Sequence, residues 1–170
     1  MNTDLKASVW RQFGAAIDML DDAIGLCPDP LWTAAVWPDD EDVRYGQFWY
    51  VATHTVVWLD LFLTGSGQGF QPPPPFVRGA LPDEPYTQEQ VRGYLAQCRD
   101  KARAMTEGLT DEQAGRRCTF SWFEPTYLEL QLYNMRHVME HAAHLGYFLG
   151  RQGVAGVDWV SQARGGAERR

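Results

Sequence analysis

A chain of 170 residues that is 45% hydrophobic carries enough apolar material for one compact domain and little for a second. Its 22 acidic residues outnumber 15 lysines and arginines, and the formal charge of −7, with no basic stripe to offset it, excludes a footprint for a nucleic-acid backbone. Cys27, Cys98 and Cys118 are too few for a disulfide scaffold and lack zinc-finger spacing, so free thiols are expected.

The first residues, MNTDLKAS, hold acid and amide groups where a signal peptide has a basic region and an apolar core, and a cytoplasmic location follows as the expectation. From 4 to 24, Leu5, Val9, Phe13, Ala16, Ile17, Leu20 and Ile24 recur every three or four residues, the stripe of an amphipathic helix. Cys27-Pro-Asp-Pro30 stops it, and residues 31 to 44, with Trp32, Trp37 and Pro38, read as a loop or short turn tucking aromatic groups against the domain.

A second helix is expected from Tyr45 to Leu63, ended by the glycines of Thr64-Gly-Ser-Gly-Gln-Gly69. It is the longest apolar stretch, but with His54 and Asp60 inside it is too short and too polar to span a membrane. Residues 70 to 85, interrupted by Pro72 to Pro75, predict a long crossover, locally polyproline-like. Thr87 with Gln90 is a capping-box signature for a third helix over 88 to 107. Thr110 with Gln113 repeats it over a short turn, and Thr126 with Glu129 repeats it for a fourth long helix reaching about Gly150. Val157, Trp159 and Val160 are candidate anchors for the segment that follows. The expected architecture is all-α, an antiparallel four-helix bundle with long crossovers, as a single domain over 1 to 160 with a flexible tail at 161 to 170.

Three of the four histidines fall within eight residues. At about 100° per residue, His141 lies roughly 40° from His137 and His144 roughly 20° to its other side, so the three share one helix face. Leu130, Tyr133 and Phe148 fall in the same sector, which is the side a bundle buries. His54 in the second helix shares its face with Tyr50, Val51, Val57, Trp58 and Leu61. If those helices meet, His54, His137 and His141 supply three imidazoles to one divalent ion and leave positions for water or substrate. The competing reading is a set of core histidines that each satisfy a carbonyl.

His144 is compatible with three roles: a ligand, a donor that orients a ligand, or a group contacting a water on the ion. Tyr133, one turn before His137, is an orienting group or plain core. Asp60, more than about 100° around the helix from His54, reads as a cap, a surface group or an inter-helix partner. Glu140 precedes His141, but the His-Glu-x-x-His pattern of metalloproteases is absent. No phosphate loop, dinucleotide fingerprint, Cys-x-x-Cys or nucleophile elbow occurs.

The blocks GQFWYVATHTVVWLDLFL and YLELQLYNMRHVMEHAAHLGYFL resemble those of the DinB-like four-helix metal-binding superfamily, with one histidine in the second helix and His-x-x-x-His in the last. The resemblance implies a divalent ion, nickel or zinc, held by His54, His137 and His141 in a cavity between helices. It also implies a thiol-dependent transferase among the candidate activities. Two classes of function follow. In one, the site is a metal-dependent transferase or hydrolase with His144 and Tyr133 as proton-handling or orienting groups; in the other it is a structural or ligand-sensing metal centre without turnover. The expected partners are an unidentified small molecule, with a low-molecular-weight thiol as a candidate, and a second copy in a homodimer, but neither nucleic acid nor membrane.

Overall fold

The computed structural model of the protein describes residues 2–154 and 156–165. In chain order the helices are α1 (Thr3–Leu26), α2 (Asp29–Trp32), a 3-10 turn (Val43–Gly46), α3 (Phe48–Thr64), α4 (Gln88–Gly108), α5 (Asp111–Gly115) and α6 (Tyr127–Arg151). No strand runs through the described residues, and no helix among them is long and apolar enough to cross a membrane.

Helix ends follow the local chemistry. Thr87, Thr110 and Thr126 each close a capping box with Gln90, Gln113 and Glu129, satisfying amide groups that a helix start leaves unpaired. At the end of α3, Gly65 adopts φ 77°, and a β-carbon there would lie 2.5 Å from the Arg116 guanidinium, so both conformation and space call for glycine.

Four long helices make the bundle, with α1 and α3 each packed against both α4 and α6. Contacts along the helices set their directions. Arg92 pairs with Asp21 and Lys6 reaches the Glu107 carbonyl, so α1 and α4 are antiparallel. Phe48 meets Phe148 while the Tyr127 hydroxyl reaches Leu63, so α3 and α6 are antiparallel as well. By contrast, Trp49 lies by Tyr86 while Asp60 meets Tyr94 and Lys101, and α3 and α4 run parallel. Parallel neighbours need a connection that returns the full helix length, which explains the crossover at 65–87. It is not loose: Phe70, Phe76 and Tyr86 are buried, and Phe76 packs between Tyr86 and Tyr94 at 4.6 and 4.8 Å. Phe13, Ile17, Leu20 and Ile24 of α1 share the core with Leu59 of α3, Leu95 of α4 and Leu130, Leu145 and Leu149 of α6.

Three expectations shift. The second long helix starts at Phe48, not Tyr45, because Val36 donates to the Gly46 carbonyl (2.8 Å) and Phe48 donates to the Ala34 carbonyl (3.0 Å). Gly46 lies so close to the Trp37 carbonyl that a β-carbon would come within 2.1 Å, so this pairing locks Trp37 beside the start of α3. Trp159 does not anchor: it is 74% exposed, while Val160 is buried. The packed chain also runs past residue 160. Ala163 donates to the Arg11 carbonyl (2.7 Å), the Arg164 amide donates to Asp18 (2.7 Å), and the Arg164 guanidinium grips Asp22. Positions 166–170 of the expected tail lie outside the described residues.

Candidate metal centre

Register between α3 and α6 is set by a row of buried polar side chains on α6. Tyr127 donates its hydroxyl to the Leu63 carbonyl (2.6 Å), Gln131 its amide to Phe62 (2.8 Å) and Asn134 its amide to Leu59 (3.1 Å). Gln131 and Asn134 are almost wholly buried, so each bond replaces water for a group that would otherwise be costly to bury. The next turns of α6 carry His137 and His141, and the same register sets them opposite His54.

The three imidazoles converge. One ring nitrogen from each of His54, His137 and His141 lies within 4.8 Å of the others. Ring centres are 5.6 Å apart for His54 and His137, 5.4 Å for His54 and His141, and 4.7 Å for the α6 pair. Bonds of about 2.0–2.1 Å from zinc to imidazole keep ligand nitrogens within about 4.2 Å, so small ring rotations close this set on one ion.

Electrostatics favour the neutral, ligating form. Burial, with the neighbouring His141, pushes His54 down to about 4. His137 falls to about 3 through burial and the other two imidazoles. His141 is lowered as well, by burial first and then by His144, with Glu140 opposing the shift. The Nδ1 atoms of His137 and His141 are buried without a hydrogen-bond partner. Core histidines satisfying carbonyls would not leave these atoms orphaned; a cation accepting their lone pairs fits, and an imidazole-only donor set suits a divalent transition metal. All three residues stay half-buried rather than fully enclosed.

Aromatic rings surround the three histidines. Tyr50 and Trp58 flank His54 one turn to either side, at 6.2 and 5.9 Å, and Trp37 lies 6.5 Å from His141. Phe62 stands edge-on to His137 at 6.0 Å. The 117–126 segment folds back as a short hairpin, with Cys118 donating to Pro125 (2.9 Å) and Phe120 to Phe123 (3.1 Å), and brings Trp122 against Trp58.

The remaining candidates fall outside the three-histidine group. His144 is exposed, 5.8 Å from His141 and edge-on to Trp37 at 5.5 Å. Tyr133 packs against Phe62 and Phe123, under the Arg136 guanidinium. Asp60 is the inter-helix partner among its three readings, accepting from the Tyr94 hydroxyl (2.8 Å) and from Lys101. The three cysteines are buried and unpaired; burial, with Asp29, pushes the Cys27 thiol up to about 12, so none presents a ready thiolate. A groove of about 630 Å³ between α1 and α6, floored by Met19, Met135 and Met139, lies on the other face of α6 and takes none of the histidines.

Sequence reasoning missed the registering amides and Trp122. Gln131 and Asn134, two amides three residues apart on a core-facing stretch, were the available signal for the first; only tertiary folding brings Trp122 to the site.

A family model described as the DinB superfamily matches residues 12–145. No curated protein gives a significant match. Among solved structures, the fold is similar to the crystal structure of YjoA, a DinB-like protein from Bacillus subtilis, with a TM-score of 0.59 and 16% identity over 92% of this chain and 99% of that one. At that identity the likeness is one of fold. With the family model covering most of its length, the chain belongs to the DinB superfamily.

Proposed function

We propose that the chain holds one divalent ion, nickel or zinc, on His54, His137 and His141, and works there on a small molecule, as a metal-dependent thiol transferase or hydrolase. The observation that carries this reading is the pair of buried, partnerless Nδ1 atoms within a half-buried cluster of three imidazoles. A bound divalent ion polarises an electrophile or acidifies a thiol or water. The chain's own residues supply the rest. His54 from α3 and the α6 pair present neutral donors, the aromatic walls limit water, and exposed His144 stands at the mouth to take up or release a proton. Tyr133 acts as an orienting group through Phe62, which touches both its ring and His137.

The structural-clip reading is weaker on two observations. Tyr127, Gln131 and Asn134 already tie α6 to α3, and the histidines remain half-buried where a purely structural ion would be enclosed. The test is a screen of low-molecular-weight thiols against electrophiles, and of hydrolysable esters and amides, with nickel- and zinc-loaded protein. Turnover that disappears on chelation and falls about 100-fold or more in His144→Gln, a loss within the range of general acid-base catalysis, is the expected result. Binding of metal with no turnover of any substrate class contradicts the catalytic part.

A further inference from the structure

The hairpin over the histidines places its aromatic residues unevenly. Phe120 points inward and is buried against Phe62 at 5.7 Å, and Phe123 packs on Tyr133 at 5.1 Å. Between them Trp122, next to the tip, is 51% exposed. Trp122 lies 5.2 Å from Phe120 and 6.5 Å from Phe123, and filling the core accounts for those contacts but not for the half of the ring left in solvent. Its position is not loose: Trp122 meets Trp58 edge-on at 5.7 Å, and Trp58 lies 5.9 Å from His54. The Arg78 guanidinium sits 5.7 Å from the centre of the Trp58 ring and is itself held by the Gly67 carbonyl at 3.1 Å.

We propose that Trp58 and Trp122 form a recognition wall for the molecule that reaches the histidine group, and that this molecule carries a flat aromatic ring. The inference rests on the reading of His54, His137 and His141 as a metal centre. Two ligand chemistries suit tryptophan walls, aromatic rings and organic cations. Arg78 decides between them: a guanidinium already over Trp58 repels a second cation, while an aromatic ring gains edge or face contacts with the half-exposed Trp122 ring. Phenyl-sized bodies therefore bind better than methyl-sized ones carrying the same metal-binding group.

Acetohydroxamate and benzohydroxamate test this directly, since both chelate through the same two oxygens and differ by methyl against phenyl. Calorimetric titration of the zinc-loaded chain is expected to give about tenfold tighter binding of benzohydroxamate, the size of an aromatic contact of about 1.4 kcal/mol. Trp122→Ala should bring the two affinities together without changing that for acetohydroxamate or the zinc stoichiometry, and Trp122→Phe should restore most of the preference. Equal affinities in the unsubstituted chain, or a preference that survives Trp122→Ala, overturn the aromatic wall and leave the metal centre standing. A chain that takes up no zinc overturns the metal reading and this inference with it, whereas zinc-loaded protein that binds neither probe overturns this inference and the open coordination position but leaves the ion on its three ligands.

Discussion

Imidazoles that lose water without gaining a partner resist protonation, and this couples the three histidines to stability. An unburied histidine titrates near 6.5, whereas burial takes His54 down to about 4 and His137 to about 3, with His141 lowered in the same direction. Between those values the unfolded chain binds more protons than the folded one, so stability rises with pH. The contribution is complete above about pH 6.5 and is lost as pH falls towards about 4 for His54 and about 3 for His137. Chelator-treated protein should show a urea-unfolding midpoint that declines across this window, and His137→Gln should flatten the decline; a midpoint independent of pH in the unsubstituted apoprotein would contradict the burial argument. The same shifts bear on ligation. Rings already neutral at pH 6 meet little competition from protons for a metal ion.

At the scale of elements, the site depends on how α6 is seated. Gln131 donates to the Phe62 carbonyl from a fully enclosed position, next to Asn134. Gln131→Ala removes that bond and leaves a cavity, at a cost of about 2–3 kcal/mol. Because the bond also fixes the register of α6 against α3, the variant should hold metal less tightly than the unsubstituted chain. Denaturant unfolding and a competitive chelator titration measure the two effects, and a variant as stable and as tight as the parent would show that register is set elsewhere. The element ends show how far the sequence was legible. Capping boxes at Thr87, Thr110 and Thr126 are local patterns, and the helices they open appear where expected. The start of α3 was misplaced because it is decided by the close approach of Gly46 to Trp37, distant in periodicity though near in sequence. His137 and His141 were legible as a pair from helical spacing alone. Their meeting with His54 follows from buried amides reaching across to α3, which apolar periodicity does not register.

At the scale of the whole molecule, the terminal strap is part of the fold. Asp18, 5% exposed, accepts from the Arg99 guanidinium and from the Arg164 amide, and Arg164 also pairs with Asp22. These contacts were hidden from sequence patterning because small and charged residues read as a frayed end. Deleting residues 161–170 removes one of the groups that offset the buried Asp18 charge and should cost about 2 kcal/mol, a fall in Tm of about 4–8 °C for a domain of this size. Calorimetry checks this, and an unchanged Tm would show that the strap contributes nothing. Since the strap packs on α1 and α4, away from the α3–α6 histidines, the deletion should leave metal content as it was.

Metal content is also the most direct test of the central claim. Protein purified without chelator, added nickel or a histidine tag, and analysed by inductively coupled plasma mass spectrometry, should carry about one nickel or zinc ion per chain through its three imidazole ligands. His54→Ala, His137→Ala and His141→Ala should each lower that stoichiometry sharply, while His144→Ala keeps it. If the three ligand variants, verified as folded, retain as much metal as the unsubstituted chain, or if that chain takes up none when offered nickel or zinc, the three-histidine centre is contradicted.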